Sequence, residues 1–130
     1  MTVARDHLAA QSPGYLLVNT GNANAGTGSQ GIRDAGLCCA LLADLAGCSP
    51  QAVVPFSTGV IGVQLPMGPL QSGIEAIAGT LATDGWDAAA QAILTTDTRP
   101  KHLAVKVHLE GGAITLGGVA KGSGMIHPDM

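Results

Sequence analysis

The sequence has 130 residues, of which 46% are apolar and 12% are charged, and its formal net charge is −3. This length and apolar content allow one domain, or part of one, with a buried core. Six basic residues stand against nine acidic ones and form no basic run. The charge pattern therefore argues against nucleic acid and against an anionic membrane as partners.

The chain start and the cysteines favour a cytoplasmic protein. Residues 1–7 lack the charged and apolar segments of a secretion signal, and no apolar run approaches the roughly 20 residues that span a bilayer. Cys38, Cys39 and Cys48 are odd in number and two of them are adjacent. The sequence therefore predicts buried free thiols rather than a disulfide framework.

The first half of the chain predicts two strands separated by a helix. Residues 15–19 are a short apolar run that ends in turn residues, as is typical of a buried strand. Apolar residues recur at helical spacing over 32–46, and Gly47 ends that helix. Residues 53–57 predict a second short strand, which leads into a glycine turn over 58–62.

Two further helices are predicted over 69–81 and 84–94, the second capped by Thr83 or Asp84 with a carboxylate near its positive end. No repeat, linker or change of composition divides the chain. We therefore expect a single α/β domain over residues 1–130.

The last part of the chain predicts a hairpin followed by a loop. Residues 103–109 alternate with period two, a glycine turn follows, and residues 113–116 run back. Residues 121–130 are mostly small, which is typical of a tightly placed loop. Because such a loop normally leads into another element, we expect a terminus made by cleavage or truncation.

A dinucleotide-binding motif is the first candidate site. The segment from Gly26 to Gly31 matches G-x-G-x-x-G between a predicted strand and a predicted helix. A dinucleotide site also needs an acidic residue about 20 positions further on, and none lies between Asp44 and Glu75. The match therefore favours a chance occurrence in a glycine-rich chain, and no G-K-[ST] follows to make a phosphate-binding loop.

Metal binding and histidine catalysis are not indicated either. The four histidines are scattered, without the close spacing of a zinc pair, and none has a visible Ser or Cys partner. We expect His108 to point outward from its strand and His127 to act as local scaffolding. The histidines are His7, His102, His108 and His127.

Four ordered segments carry a resemblance that covers nearly the whole chain. They lie at residues 19–28 (NTGNANAGTG), 57–62 (STGVIG), 95–98 (TTDT) and 121–126 (KGSGMI). In this order they resemble the ornithine acetyltransferase family, also called glutamate N-acetyltransferase, of arginine biosynthesis. Four motifs in one order are far more specific than one glycine pattern.

The resemblance implies a precursor that cuts itself before a threonine, which then becomes the N-terminal nucleophile of a β chain. The implied fold is a mixed-sheet sandwich of the self-cleaving N-terminal-nucleophile type, completed by that β chain in an α2β2 assembly. By the family's pattern the chain resembles an α chain that begins inside the family's α chain and stops one alanine before the cut. Without the β chain we expect it to be inert.

The implied reaction moves acetyl from N2-acetylornithine to the threonine and then to glutamate. A covalent acetyl-enzyme splits the transfer into two halves, which predicts ping-pong kinetics. The family needs no cofactor, although some members accept acetyl-CoA as acetyl donor. The sequence leaves acetyl-CoA use and the exact amino-acid specificity open.

The resemblance also implies the site residues of this chain. Thr58 and Gly59 match the oxyanion hole, which holds the charge of the tetrahedral intermediate, and Thr95 and Lys121 match positions that contact substrate. Lys121 is the only charged residue between Glu110 and Asp129, which suits an amino-acid carboxylate. The adjacent Thr96 leaves the register at Thr95 open.

Two alternatives belong to other functional classes. A nucleotide-binding module would use the loop from Gly26 to Gly31, and titration with NAD(P), FAD or ATP would detect it. An inactive, truncated remnant would only associate with other chains. The coding sequence on both sides of the chain distinguishes the remnant from the enzyme.

Overall fold

A computed structural model describes residues 1–122, which combine helices with parallel and antiparallel strands. The α/β class is therefore confirmed. The chain divides into two compact units, the first covering Met1–Ala82 and the second beginning at Thr83. The assignment of all 130 residues to one domain of an α chain, and the sandwich fold, stay predictions.

The first unit contains two strands, three α-helices and one 3-10 turn. In chain order these are α1 (Thr2–Ala10), β1 (Tyr15–Asn22), α2 (Gly28–Ala46), a 3-10 turn (Pro50–Ala52), β2 (Val53–Val60) and α3 (Met67–Ala78). β1 and β2 pair in parallel, and α2 makes the crossover that parallel strands require.

Both strands extend three residues past their predicted ends. The pairing continues through Thr20 with Thr58 and Gly21 with Gly59. The prediction of a turn beginning at residue 58 is therefore wrong, because the neighbouring strand satisfies the backbone of these small residues. Thr58 and Gly59 lie at the carboxyl end of a paired strand.

Helix α2 begins at Gly28, four residues before the predicted start, and ends as predicted. Its C-cap Gly47 is left-handed at φ 67°, and the Gly47 N–H donates to the Ala43 carbonyl, which is the common glycine stop. Helix α3 covers Met67–Ala78 rather than residues 69–81 because Gly79 ends it earlier.

Helix α1 has no counterpart among the sequence predictions. Its His7 Nδ1 lies 2.7 Å from the Val53 carbonyl oxygen, at the start of β2. Val53 itself is fully buried. A contact 46 residues away along the chain therefore holds this short helix, and local patterning does not reveal it.

The core of the first unit lies where α2 and α3 meet β2. Its buried members are Cys38, Cys39, Leu42, Ala43, Val53 and Ile74. All three cysteines are free thiols, as predicted; Cys38 and Cys39 are buried as expected, whereas Cys48 is only half-buried. Burial, followed by the neighbouring Cys38, raises the pKa of Cys39 to about 11, so Cys39 acts as a core residue and not as a nucleophile.

The second unit contains α4 (Trp86–Ala92) and a hairpin of β3 (Lys101–Leu109) and β4 (Gly112–Ala120). The hairpin is confirmed and is longer than predicted. The predicted cap of α4 is wrong: a turn over residues 83–85 precedes the helix, and the N-cap is Gly85. The carboxylate in the first turn comes from Asp87.

The hairpin exposes nearly all of its side chains. Only Val107 is half-buried, whereas Leu103 and Leu116 are 71% and 59% exposed. His108 is exposed, as predicted. Within residues 1–122, no helix combines the length and the apolar character needed to cross a membrane.

Candidate functional site

The paired ends of β1 and β2 approach each other closely at Gly59. Gly59 has φ +131°, a conformation that side chains disfavour. A Cβ at Gly59 would overlap the backbone carbonyl of Gly21 and lie 2.6 Å from the Asn22 nitrogen. Gly59 therefore combines an unusual dihedral angle with a close backbone approach.

Polar side chains tie these strand ends together. The Ser57 hydroxyl donates to Asn19 Oδ1 at 2.6 Å, and Asn19 Nδ2 donates to the Asn22 carbonyl at 2.8 Å. Asn22 Nδ2 in turn donates to the Val63 carbonyl at 3.0 Å. The NTGN segment and the STG segment are thus one hydrogen-bonded arrangement, in which the asparagines stabilise turns.

The glycine-rich loop between β1 and α2 is filled by its own side chains. Thr27 Oγ1 donates to Asn24 Oδ1 at 2.6 Å, and Asn24 Nδ2 donates to the Gly31 carbonyl at 2.6 Å. Gly26 and Gly28 have positive φ. Local turn geometry and packing therefore account for the G-x-G-x-x-G match.

Gly31→Ala is expected to destabilise the protein by about 1–3 kcal/mol, because a Cβ there would overlap the side-chain oxygens of Thr27 and Asn24. Urea unfolding of the full-length protein measures this. Gly36→Ala in the same helix is the control, since nothing lies within 4 Å of its Cβ position, and it should be neutral or stabilising. Equal effects of the two changes would contradict the packing argument.

The second unit brings Thr95 and Lys121 to one carboxylate. Asp97 Oδ2 accepts from the Thr95 backbone N–H at 3.4 Å and from Lys121 Nζ at 3.0 Å. Thr96 is exposed. Within residues 1–122, it is not one of the hydrogen-bond donors to the Asp97 carboxylate. No sequence pattern assigns Asp97 a role, and its only signal is its position inside the TTDT motif.

Asp97 is held as an anion. Its hydrogen bonds with Lys101 and then Lys121, followed by the Gly122 and Thr95 backbone N–H groups, lower the pKa of its carboxyl far below the ordinary value of 3.8. The carboxylate contributes stability that is complete above that ordinary value and declines as the pH falls below it. It therefore stays ionised at neutral pH.

The predicted residues fall in both units. Thr58 is half-buried and Gly59 exposed in the first unit, whereas Thr95 is exposed and Lys121 half-buried in the second. His127 and the rest of residues 123–130 lie outside the described part of the chain. In the part that is described, no group of three His, Cys, Asp or Glu side chains could hold a metal ion.

The described residues thus form a mixed α/β protein, with a parallel βαβ unit that has Gly59 at its paired strand ends and a hairpin unit in which Asp97 binds Thr95 and Lys121. Comparison with known proteins makes this specific. Residues 1–130 match the family model described as the ArgJ family. The chain belongs to the ArgJ family, enzymes of arginine biosynthesis, and the resemblance is confirmed.

Similar proteins agree in sequence and in structure. The arginine biosynthesis bifunctional protein ArgJ of Methylococcus capsulatus is 50% identical over 130 residues, which are 100% of this chain and 32% of that protein. The Psychrobacter arcticus protein of the same name is 50% identical over 128 residues, 98% of this chain and 31% of that protein. The chain thus spans about a third of these relatives.

Two crystal structures are similar to the whole described fold. ArgJ of Bacillus halodurans has a TM-score of 0.84 and 39% identity, covering 98% of this chain and 68% of that one. Ornithine acetyltransferase of Mycobacterium tuberculosis, solved with ornithine, has a TM-score of 0.85 and 32% identity, with the same coverage.

Proposed function

We propose that this chain is α-chain sequence of an acetyltransferase that moves acetyl from N2-acetylornithine to glutamate. The observation that carries the proposal is the match over the whole chain to a family that includes an ornithine acetyltransferase solved with ornithine. The motif at Thr58 and Gly59 supports it, because Gly59 has a positive φ and lies against the Gly21 backbone, which gives the motif a fixed backbone conformation.

The proposed reaction uses a threonine outside this chain. Its hydroxyl attacks the N-acetyl carbonyl, and the amide C–N bond breaks as the α-nitrogen of ornithine takes the hydroxyl proton. The acetyl ester that remains is attacked by the α-amine of glutamate. The ester C–O bond then breaks, and a proton returns to the threonine oxygen.

Each half of the reaction develops negative charge on the carbonyl oxygen. Thr58 and Gly59 would donate hydrogen bonds to that oxygen, a role in which a positioned donor is worth about 3 to 4 kcal/mol. Thr95 and Lys121 would hold the amino-acid substrate. Lys121 presents an ammonium suited to a carboxylate.

The proposed partner is a β chain cut from the same precursor, in an α2β2 assembly in the cytoplasm, with no cofactor. Two-stranded sheets are marginal alone, and the hairpin here exposes large apolar residues on its surface. About two thirds of each curated relative lies outside the matched part, and it would supply further strands. The N-terminal-nucleophile sandwich belongs to this proposal.

The test is to express the full-length coding sequence and to assay acetyl transfer from N2-acetylornithine to [14C]glutamate. We expect two chains by mass spectrometry, an acetyl group on the N-terminal threonine of the second, and parallel double-reciprocal lines. Acetyl-CoA in place of acetylornithine tests the other donor. A single uncut chain without transfer, or tight binding of NAD, FAD or ATP instead, would overturn the proposal.

Lys121→Ala is expected to raise KM for acetylornithine and for glutamate about 10- to 100-fold, because both substrates lose a charged hydrogen bond. The kcat should change less than about threefold. Steady-state kinetics of the two-chain enzyme measure both constants. Lys106→Ala, which removes an exposed lysine from β3, is the control, and equal KM values for the two variants would remove Lys121 from the site.

A further inference from the structure

The carboxylate of Asp97 is fully covered, although it lies in a loop between α4 and β3. Its side chain has no exposed surface. Oδ1 accepts from Lys101 Nζ at 2.8 Å and from the Gly122 N–H at 2.6 Å, and Oδ2 accepts from Lys121 Nζ at 3.0 Å and from the Thr95 N–H at 3.4 Å. Both oxygens of the carboxylate are therefore used.

This arrangement differs from an ordinary surface ion pair. Exposed pairs contribute little because water and salt screen them, but this carboxylate is covered and also binds two backbone N–H groups. A Cβ at Gly122 would lie 2.6 Å from Asp97 Oδ1 and 2.8 Å from Lys101 Nζ. A side chain at Gly122 would therefore fit only if the Asp97 and Lys101 side chains shifted.

The cluster of Asp97, Lys101 and Lys121 has a net positive charge, which is available to an anionic group of a ligand. Two ammonium groups face one carboxylate, so one positive charge is not neutralised. Lys121 Nζ donates to Asp97 and to the Gly122 carbonyl at 3.0 Å. Within residues 1–122 these bonds use two of its three N–H donors, while the side chain is 21% exposed. The third donor can meet a carboxylate oxygen.

We propose that Asp97 is a positioning residue that fixes the Lys121 ammonium beside Thr95 and so sets where the α-carboxylate of the amino-acid substrate binds. This inference rests on the proposed function. Without Asp97 the lysine keeps its charge but loses its fixed place, and a flexible lysine side chain pays more conformational entropy to bind a ligand. Asp97 thus acts on substrate affinity through Lys121.

The test is a double-mutant cycle in the full-length, two-chain enzyme with Asp97→Asn, Lys121→Ala and both together. We expect Asp97→Asn to raise KM for acetylornithine and glutamate about 10-fold with kcat changed less than about threefold. The double variant should have the KM of Lys121→Ala alone, because the two residues act as one unit. Lys106→Ala on β3 should leave KM unchanged.

Other outcomes overturn the inference. A purely structural Asp97 would lower kcat and the melting temperature with KM unchanged, and an independent Asp97 would multiply its KM effect onto that of Lys121→Ala. If Asp97→Asn alone fails to fold, the KM of the double variant is compared with the KM of Lys121→Ala. The double variant leaves fewer unpaired charges, because it also removes the ammonium of Lys121. An inactive wild-type enzyme would overturn the proposed function, whereas an active one with normal KM in Asp97→Asn overturns only the role of Asp97.

Discussion

Gly59→Ala is expected to abolish acetyl transfer and to destabilise the full-length protein by about 3 kcal/mol or more. A non-glycine residue at φ +131° costs about 1–3 kcal/mol by itself. The added Cβ would also overlap the Gly21 carbonyl, which belongs to the paired strand and cannot move as a flexible side chain does. The strand ends must therefore separate, and the proposed oxyanion hole opens with them.

Gly21→Ala is the matched control for this prediction. Gly21 pairs with Gly59 in the same register and has φ +97°, but nothing lies within 4 Å of its Cβ position. It should show the cost of a positive φ without the backbone overlap. Urea unfolding midpoints and kcat measure the difference, and equal losses in the two variants would show that the close approach is unimportant.

Thr58→Ala is expected to lower kcat about 10²- to 10³-fold, with KM changed little, if the Thr58 hydroxyl is one of the oxyanion donors. The interaction forms only as the carbonyl oxygen gains charge, so its loss affects the transition state more than the bound substrate. Stability should change little, because the half-buried Thr58 is outside the core. Pre-steady-state release of ornithine measures the acylation rate directly.

Thr58→Ser is the control, since it retains a hydroxyl and loses only a methyl group. It should keep most of the acylation rate. A Thr58→Ala enzyme that acylates as fast as the wild type would assign the oxyanion contacts to backbone N–H groups alone. The same slow rate in both variants would indicate that packing of the methyl group matters instead.

Local patterning predicted the elements that carry their own signals. The strand starts at Tyr15 and Val53 and the end of α2 at Gly47 follow from apolar runs and a glycine stop. The early start of α2 does not follow from local patterning. Two of residues 28–31 are glycines, which have poor helix propensity, and this segment becomes helical where Asn24 and Thr27 pack against Gly31. Helix α1 was missed because its anchor is the distant carbonyl of Val53.

The candidate site residues likewise comprise some that the sequence reveals and one that only the structure reveals. The motifs around Thr58, Gly59, Thr95 and Lys121 are readable in the sequence through their resemblance to one family. Asp97 is not, because an aspartate between threonines in a loop is typical of a solvated turn. Its partners Lys121 and Gly122 reach it only when the hairpin folds back, because they lie 24 and 25 residues away along the chain.

By itself, the sequence determined the α/β class, the family and the motif residues, since short-range periodicity and residue order carry that information. Tertiary structure decided where the small residues approach each other. Whether a glycine is a flexible turn or an obligatory contact depends on the backbone opposite it, as Gly21 lies opposite Gly59. Whether a charge is solvated or buried depends on all the donors around it, and for Asp97 two of the four, Lys121 and Gly122, are long-range contacts that only folding supplies.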